Sequence, residues 1–151
     1  MSNQFASGHV YDPAHPHALA VYCSDGRFTQ SVEELLGALG HERLDTLTIP
    51  GGPALLDLTS SSMGALEALR SAATFLIKGH GITRVVLLAH AGCGYYKSRF
   101  PYESPEAMHR RQLSDLGRAA KWVKSEHAKI EVATFYASPE GKRVRFEEID
   151  S

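Results

Sequence analysis

The sequence predicts an α/β fold: an open, mainly parallel sheet of four strands plus a short edge strand, with helices on both faces. Three observations carry this expectation. Short apolar runs alternate with longer amphipathic stretches along the 151 residues, the rhythm of right-handed strand–helix–strand crossovers. Arg84-Val-Val-Leu-Leu-Ala-His90 is apolar on both faces, as the centre of a parallel sheet requires. The chemically distinctive residues fall at strand ends, Cys23 after the first apolar run and His90 closing this one, where open α/β sheets present their ligands.

Each element has its own signal. Leu19-Ala-Val-Tyr22 reads as a buried strand. Ser31-Val-Glu-Glu34 reads as a capping box opening a helix with Val32, Leu35, Leu36 and Leu39 at helical spacing and Gly40 as its stop. Leu44 to Ile49 is a second strand, closed by Pro50-Gly51-Gly52-Pro53. Ser60 to Ser62 offer caps for a helix whose apolar face includes Leu66, Leu69, Ala73 and Leu76, ended by Gly79 and Gly81. Ser104-Pro105-Glu106 opens a long helix, cap before proline, with Leu113, Leu116, Ala120 and Val123 on the buried side. Ile130 to Tyr136 supplies a fourth strand, and Arg143 to Phe146 an edge strand after a turn at Pro139-Glu-Gly141.

At this length one hydrophobic core fits and two do not, so residues 1–151 read as a single domain with 1–17 as an N-terminal arm. Sixteen basic residues against 17 acidic give a net charge of -1, which lacks the field that gathers nucleic acid or anionic lipid. Neither is an expected partner. No stretch has the length of a transmembrane helix, and the polar start, interrupted by Pro13 and Pro16, lacks the pattern of a secretory signal. A cytoplasmic, reducing location is expected, where the two cysteines stay free as thiols.

Those two cysteines, Cys23 and Cys93, both fall in Cys23-Ser-Asp25-Gly-Arg27 and His90-Ala-Gly-Cys93. Thiolate and imidazole are ligands zinc prefers, and three of them leave a fourth tetrahedral position open, the pattern of a catalytic centre. In extended backbone Cys23, Asp25 and Arg27 share a side, which puts a carboxylate and a guanidinium beside the thiolate. Gly92 and Gly94 let the second segment aim His90 and Cys93 at one point. Each pattern alone is weak, and their joint occurrence at strand ends is specific.

On these motifs the chain resembles the β-class carbonic anhydrases, whose signature is CxDxR after the first strand and HxxC after the third. The likeness extends through Gly64-Ala-Leu-Glu67, Gly81-Ile82 and Val85 to Gly94, and reaches a closing hairpin at Val132 to Phe146, covering roughly residues 19–146. It implies one Zn2+ per subunit held by Cys23, His90 and Cys93, with Asp25 and Arg27 as the catalytic dyad. It further implies reversible hydration of carbon dioxide to bicarbonate by zinc-bound hydroxide, in a homodimer or higher homo-oligomer with the site near the interface. Released from Arg27, Asp25 could swing onto the metal and close the site. A branch of the same fold hydrolyses carbonyl sulfide or carbon disulfide, which makes that hydrolase the alternative reading; a catalytically degenerate zinc-binding paralogue is another. The chain departs from the family in having Ile49-Pro50-Gly51-Gly52 where members carry Arg-x-Ala-Gly, in lacking a match to the glutamine many place beside bicarbonate, and in its short arm. Of the eight histidines, the seven besides His90 show no spacing that singles out a proton carrier.

Overall fold

The computed structural model describes residues 3–150. Its five strands lie in the order β2-β1-β3-β4-β5, where β1 is Ala18–Tyr22, β2 Asp45–Thr48, β3 Arg84–His90, β4 Glu131–Glu140 and β5 Arg143–Glu148. The pairs β1–β2, β1–β3 and β3–β4 are parallel, and β5 returns antiparallel along β4. After β1 the chain crosses first to β2 on one side and then to β3 on the other. The direction of winding therefore reverses at β1, and the crevice between the carboxyl ends of β1 and β3 is the place where such sheets bind ligands. Cys23 and His90 flank that crevice.

The strands have two buried faces. Leu19, Val21, Val85 and Leu87 pack with Leu69, Ala73 and Ile77 of α2 (Met63–His80) and with Leu116, Ala119, Ala120 and Val123 of α4 (Pro105–Glu126). Ala20, Tyr22, Val86 and Leu88 pack on the other face against Phe28, Val32 and Leu36, the last two on α1 (Thr29–Ala38). Helices thus cover both faces, and a fully buried side chain such as Leu36 contributes about 1.5–3 kcal/mol by leaving water.

The predicted caps hold for two helices. Ser62 Oγ accepts from Ala65 N at 3.3 Å and Ser104 Oγ from Ala107 N at 3.1 Å. The helix from Ser62 runs through Gly79 and stops at Gly81, whose left-handed φ of 68° closes it. The capping box at Ser31 does not form. Phe28 N donates to Asp25 O at 3.0 Å, so a turn begun at Asp25 runs directly into a helix that starts at Thr29. Two short elements carry no periodic signal and were not expected: a 3-10 turn at Gly52–Leu56 and α3 at Gly94–Arg99. The hairpin is longer than expected, with β4 continuing through Pro139 and Glu140 and the turn reduced to Gly141 and Lys142. Pro139 is tolerated because β3 ends at His90, opposite Ala137, so this stretch has a ladder partner only in β5. The arm docks on the amino end of the sheet: Thr83 N donates to His17 O at 2.9 Å, and the rings of His15 and His80 stack at 3.9 Å.

Candidate metal centre

Cys23 is delivered by the end of β1, and the segment after β2 wedges beneath it. Ile49 N donates to Tyr22 O, Ser24 N to Ile49 O, and Gly52 N closes a turn onto Ile49 O at 2.8 Å. A Cβ on Gly52, whose φ is 50°, would stand 2.7 Å from the backbone N of Cys23 and the carbonyl carbon of Tyr22; one on Gly51, with φ 88°, would enter the ring of Tyr95 at 2.6 Å. The turn is therefore a floor under the thiol that only glycines can form.

His90 and Cys93 arrive from the end of β3. The ligand-type atoms of Cys23, His90 and Cys93 all lie within 4.8 Å of one another, with the two Sγ atoms 4.0 Å apart. Zinc–sulfur bonds of about 2.3 Å in tetrahedral geometry would set the sulfurs roughly 3.8 Å apart, so the cradle is within a few tenths of an ångström of that size. His90 Nδ1 lies 2.8 Å from Ala91 O. A carbonyl only accepts, so Nδ1 carries the proton and Nε2 presents a lone pair. That Nε2 is buried and has no hydrogen-bond partner, an arrangement that costs free energy in a protein without a ligand for it. The ring is held from the other side by Phe28, its centroid 4.4 Å away. The donor set, its spacing and the orphaned nitrogen all fit a zinc ion.

The thiols titrate as a pair. The Cys93 S–H, hydrogen-bonded to Cys23, favours the Cys23 thiolate and lowers its pKa, outweighing burial. Cys93 is pushed up first by that same hydrogen bond and then by burial. Burial draws His90 down, but a protonated ring would donate to the Cys23 thiolate and to Ala91 O, and these interactions outweigh burial and raise its pKa. A bare site thus stores one thiolate beside an imidazole, and a metal ion would displace protons from it.

Asp25 faces the trio from the open side. Its Oδ2 is 3.8 Å from His90 Nε2, and Arg27 holds both carboxylate oxygens, with Nη2 2.6 Å from Oδ2 and Nε 3.0 and 3.1 Å from Oδ1 and Oδ2. The backbone N of Arg27 adds a fourth bond to Oδ1 at 3.0 Å. The side-chain hydrogen bonds from Arg27 are the main reason the Asp25 carboxyl is held down to about 2. It is ionised at any working pH and can only accept. Behind the ligand turn lies a cavity of about 420 Å³, with Ala91, Cys93, Met108, Gln112 and Tyr136 among its walls.

The family described as "Putative carbonic anhydrase" matches residues 14–148. The chain belongs to that family. Among solved structures, a β-carbonic anhydrase of the fungal pathogen Aspergillus fumigatus aligns with a TM-score of 0.60 and 14% identity over 91% of this chain and 76% of its own. A carbonic anhydrase from Streptococcus mutans aligns at 0.59 and 16% identity over 95% of this chain and 88% of its own. One of two tetrameric β-carbonic anhydrases from Sordaria macrospora aligns at 0.60 and 12% identity, covering 91% and 82%. At such identities the likeness establishes the fold, which is the one expected from the motifs. No curated protein matches the sequence.

The structure brings all five expected site residues of this family member together at one end of the crevice. It also supplies partners that motif reading missed. The Gly51-Gly52 pair, expected as a plain turn, is packed against Cys23. Gln112 is 3% exposed on α4 and donates from Nε2 to His90 O at 2.7 Å. Its signal was a second polar side chain, beside Asp115, on a helical face that also carries Leu116, Ala119, Ala120 and Val123. The aromatic run after the ligand turn packs: Tyr96 OH donates to Asp115 at 2.7 Å and Arg111 lies 3.7 Å over Phe100, while Tyr102 is fully exposed.

Proposed function

We propose that this chain is a zinc-dependent carbonic anhydrase that hydrates carbon dioxide reversibly to bicarbonate, with Cys23, His90 and Cys93 as the metal ligands and Asp25 and Arg27 as the catalytic pair. The observation that carries the reading is the buried, unpartnered Nε2 of His90, aimed between two thiols and 3.8 Å from an ionised carboxylate. A zinc ion held there supplies Lewis acidity that brings the pKa of a water to about 7. The protein's own residues do the rest. Arg27 keeps Asp25 charged and turned aside from the thiols, so that Asp25 Oδ2 accepts an O–H from the reacting water and orients its lone pair towards the substrate. Ala91 O fixes the His90 tautomer, and Phe28 keeps bulk water off one face of the ring.

The test is stopped-flow carbon dioxide hydration by protein of measured zinc content, with carbonyl sulfide run in parallel. Stoichiometric zinc with hydration supports the reading. Zinc with turnover of carbonyl sulfide alone moves the substrate to the sulfur-containing analogues, and absence of zinc sinks the reading altogether. We further propose a homodimer or higher homo-oligomer, supported by exposed Leu58, Met63 and Phe75 and by the tetrameric assembly named for the Sordaria macrospora proteins; an active species sedimenting as a monomer would refute it. No helix among the described residues is long and apolar enough to cross a membrane, and free thiol ligands suit a reducing compartment, which supports a cytoplasmic location.

A further inference from the structure

The turn that carries His90 and Cys93 leaves the sheet after Ala91, whose N donates to Ala137 O at 2.8 Å, and Gly92 then turns the chain with a φ of 69°. Its four backbone carbonyls are nevertheless all engaged. His90 O accepts from Gln112 Nε2 at 2.7 Å, Ala91 O from His90 Nδ1 at 2.8 Å, Gly92 O from Arg27 Nη2 at 3.4 Å, and Cys93 O from Lys97 N at 3.2 Å. Two of these bonds are local and tie the turn only to itself and to α3. The bond from Arg27 is long, and that side chain is 70% exposed. Gln112 alone reaches in from the body of a long helix, and it is short, buried and well placed.

Gln112 is itself held. Tyr136 OH donates to Gln112 Oε1 at 3.2 Å, and both side chains are buried. The chain of bonds therefore runs from β4 through α4 to the last residue of β3. A buried amide without partners costs on the order of 1–3 kcal/mol; this one meets that cost by bonding to the residue that carries the orphaned Nε2.

We propose that Gln112 is a positioning residue for the metal centre, anchored by Tyr136 and holding the His90 carbonyl so that His90 and Cys93 converge on Cys23. The inference rests on the reading of these three residues as metal ligands. Outer partners of this kind tune affinity by fixing ligand direction rather than by touching the metal.

The test compares four proteins: wild type, Gln112→Met, Tyr136→Phe and Asp115→Asn. Zinc dissociation constants are measured by chelator competition, and the cobalt(II)-substituted proteins are compared by their thiolate charge-transfer and d–d absorption. Gln112→Met keeps the length and loses both hydrogen bonds, so zinc affinity should fall by about 10- to 100-fold and the cobalt bands should shift. Tyr136→Phe leaves the bond to His90 intact and should weaken zinc by a smaller factor. Asp115→Asn is a buried polar change on the same helix, but its partners are Tyr96 and Arg118; it should lower the thermal midpoint of the metal-free protein and leave zinc affinity at the wild-type value. A Gln112→Met protein with a lowered midpoint but wild-type affinity and cobalt spectrum would reduce Gln112 to a structural role and overturn the proposal. If Gln112→Met does not fold, unchanged affinity in Tyr136→Phe overturns it equally. Failure of the wild type to bind zinc stoichiometrically would instead remove the metal reading on which the inference stands.

Discussion

Cys23 and Asp25 stand two residues apart in one motif, yet they belong to regions built on different physics. The trio side is interior: Cys93 and His90 are 4% and 5% exposed, roofed by Phe28 and floored by two glycines. The pair side is at the rim, where the Arg27 side chain faces solvent. On the proposed assignment, the difference teaches that holding a metal depends on packing around buried His90 and Cys93, whereas the chemistry falls to a charged pair at the solvent-facing rim. Substitutions on the two sides should therefore separate binding from turnover.

The largest effect belongs to the interior. Cys93→Ser removes a proposed ligand outright, and zinc retained after gel filtration against a chelator should fall by more than the 10- to 100-fold typical of losing an outer partner. Circular dichroism should remain that of the folded chain, because serine replaces the thiol at nearly equal volume. Zinc retention equal to wild type would break the comparison by showing that the trio is not the centre.

On the rim, Asp25→Ala should leave zinc content unchanged and lower carbon dioxide hydration by about 100- to 10,000-fold, the range typical of a lost general acid–base group, measured by stopped flow at equal zinc loading. Coincident loss of zinc would mean that the two sides are not separable. The floor gives a purely energetic contrast. Gly52→Ala forces a side chain into φ 50° and against the Cys23 backbone, for which strain alone costs about 1–3 kcal/mol. Gly26→Ala, between Asp25 and Arg27, meets nothing within 4 Å and should stay within about 0.5 kcal/mol of wild type. Urea unfolding of the metal-free proteins reads both.

The same division explains what the sequence discloses. The strands were legible because a parallel sheet demands continuous apolar runs, and the grouping of the five candidate residues because thiols are rare and their spacing puts acid and base beside them. The floor was not. Gly51-Gly52 reads locally as a turn, and only the tertiary approach of Tyr22 and Cys23 shows why glycine is required. The start of α1 was misplaced for a related reason: Ser31 and Glu34 have the capping pattern, but a turn nucleated at Asp25 already supplies the preceding carbonyls. Helix α3 is six residues long, too short to display a period. Gln112 left a trace, a polar side chain on the buried face it shares with Asp115, Leu116 and Ala119, whose meaning depended on a carbonyl brought from another element.

The smallest predicted effect tests the rim most directly. Arg27 holds the Asp25 carboxyl at about 2 chiefly through side-chain hydrogen bonds, against the upward pull of burial. In Arg27→Ala the burial contribution and the backbone hydrogen bond persist while the guanidinium is lost, so the carboxyl pKa should climb towards its ordinary value of 3.8, readable by carbon NMR titration of the metal-free protein. The sign for stability follows. A carboxyl with a depressed folded-state pKa stabilises the fold above its ordinary pKa, and this contribution is lost as pH falls through the folded value. The gap in unfolding free energy between wild type and Arg27→Ala should be widest at neutral pH and close between about 4 and 2. Solvent around Arg27 keeps that gap small and salt-sensitive. A carboxyl still near 2 in Arg27→Ala would assign the depression to the backbone and to His90, and would tie Asp25 to the interior instead of the rim.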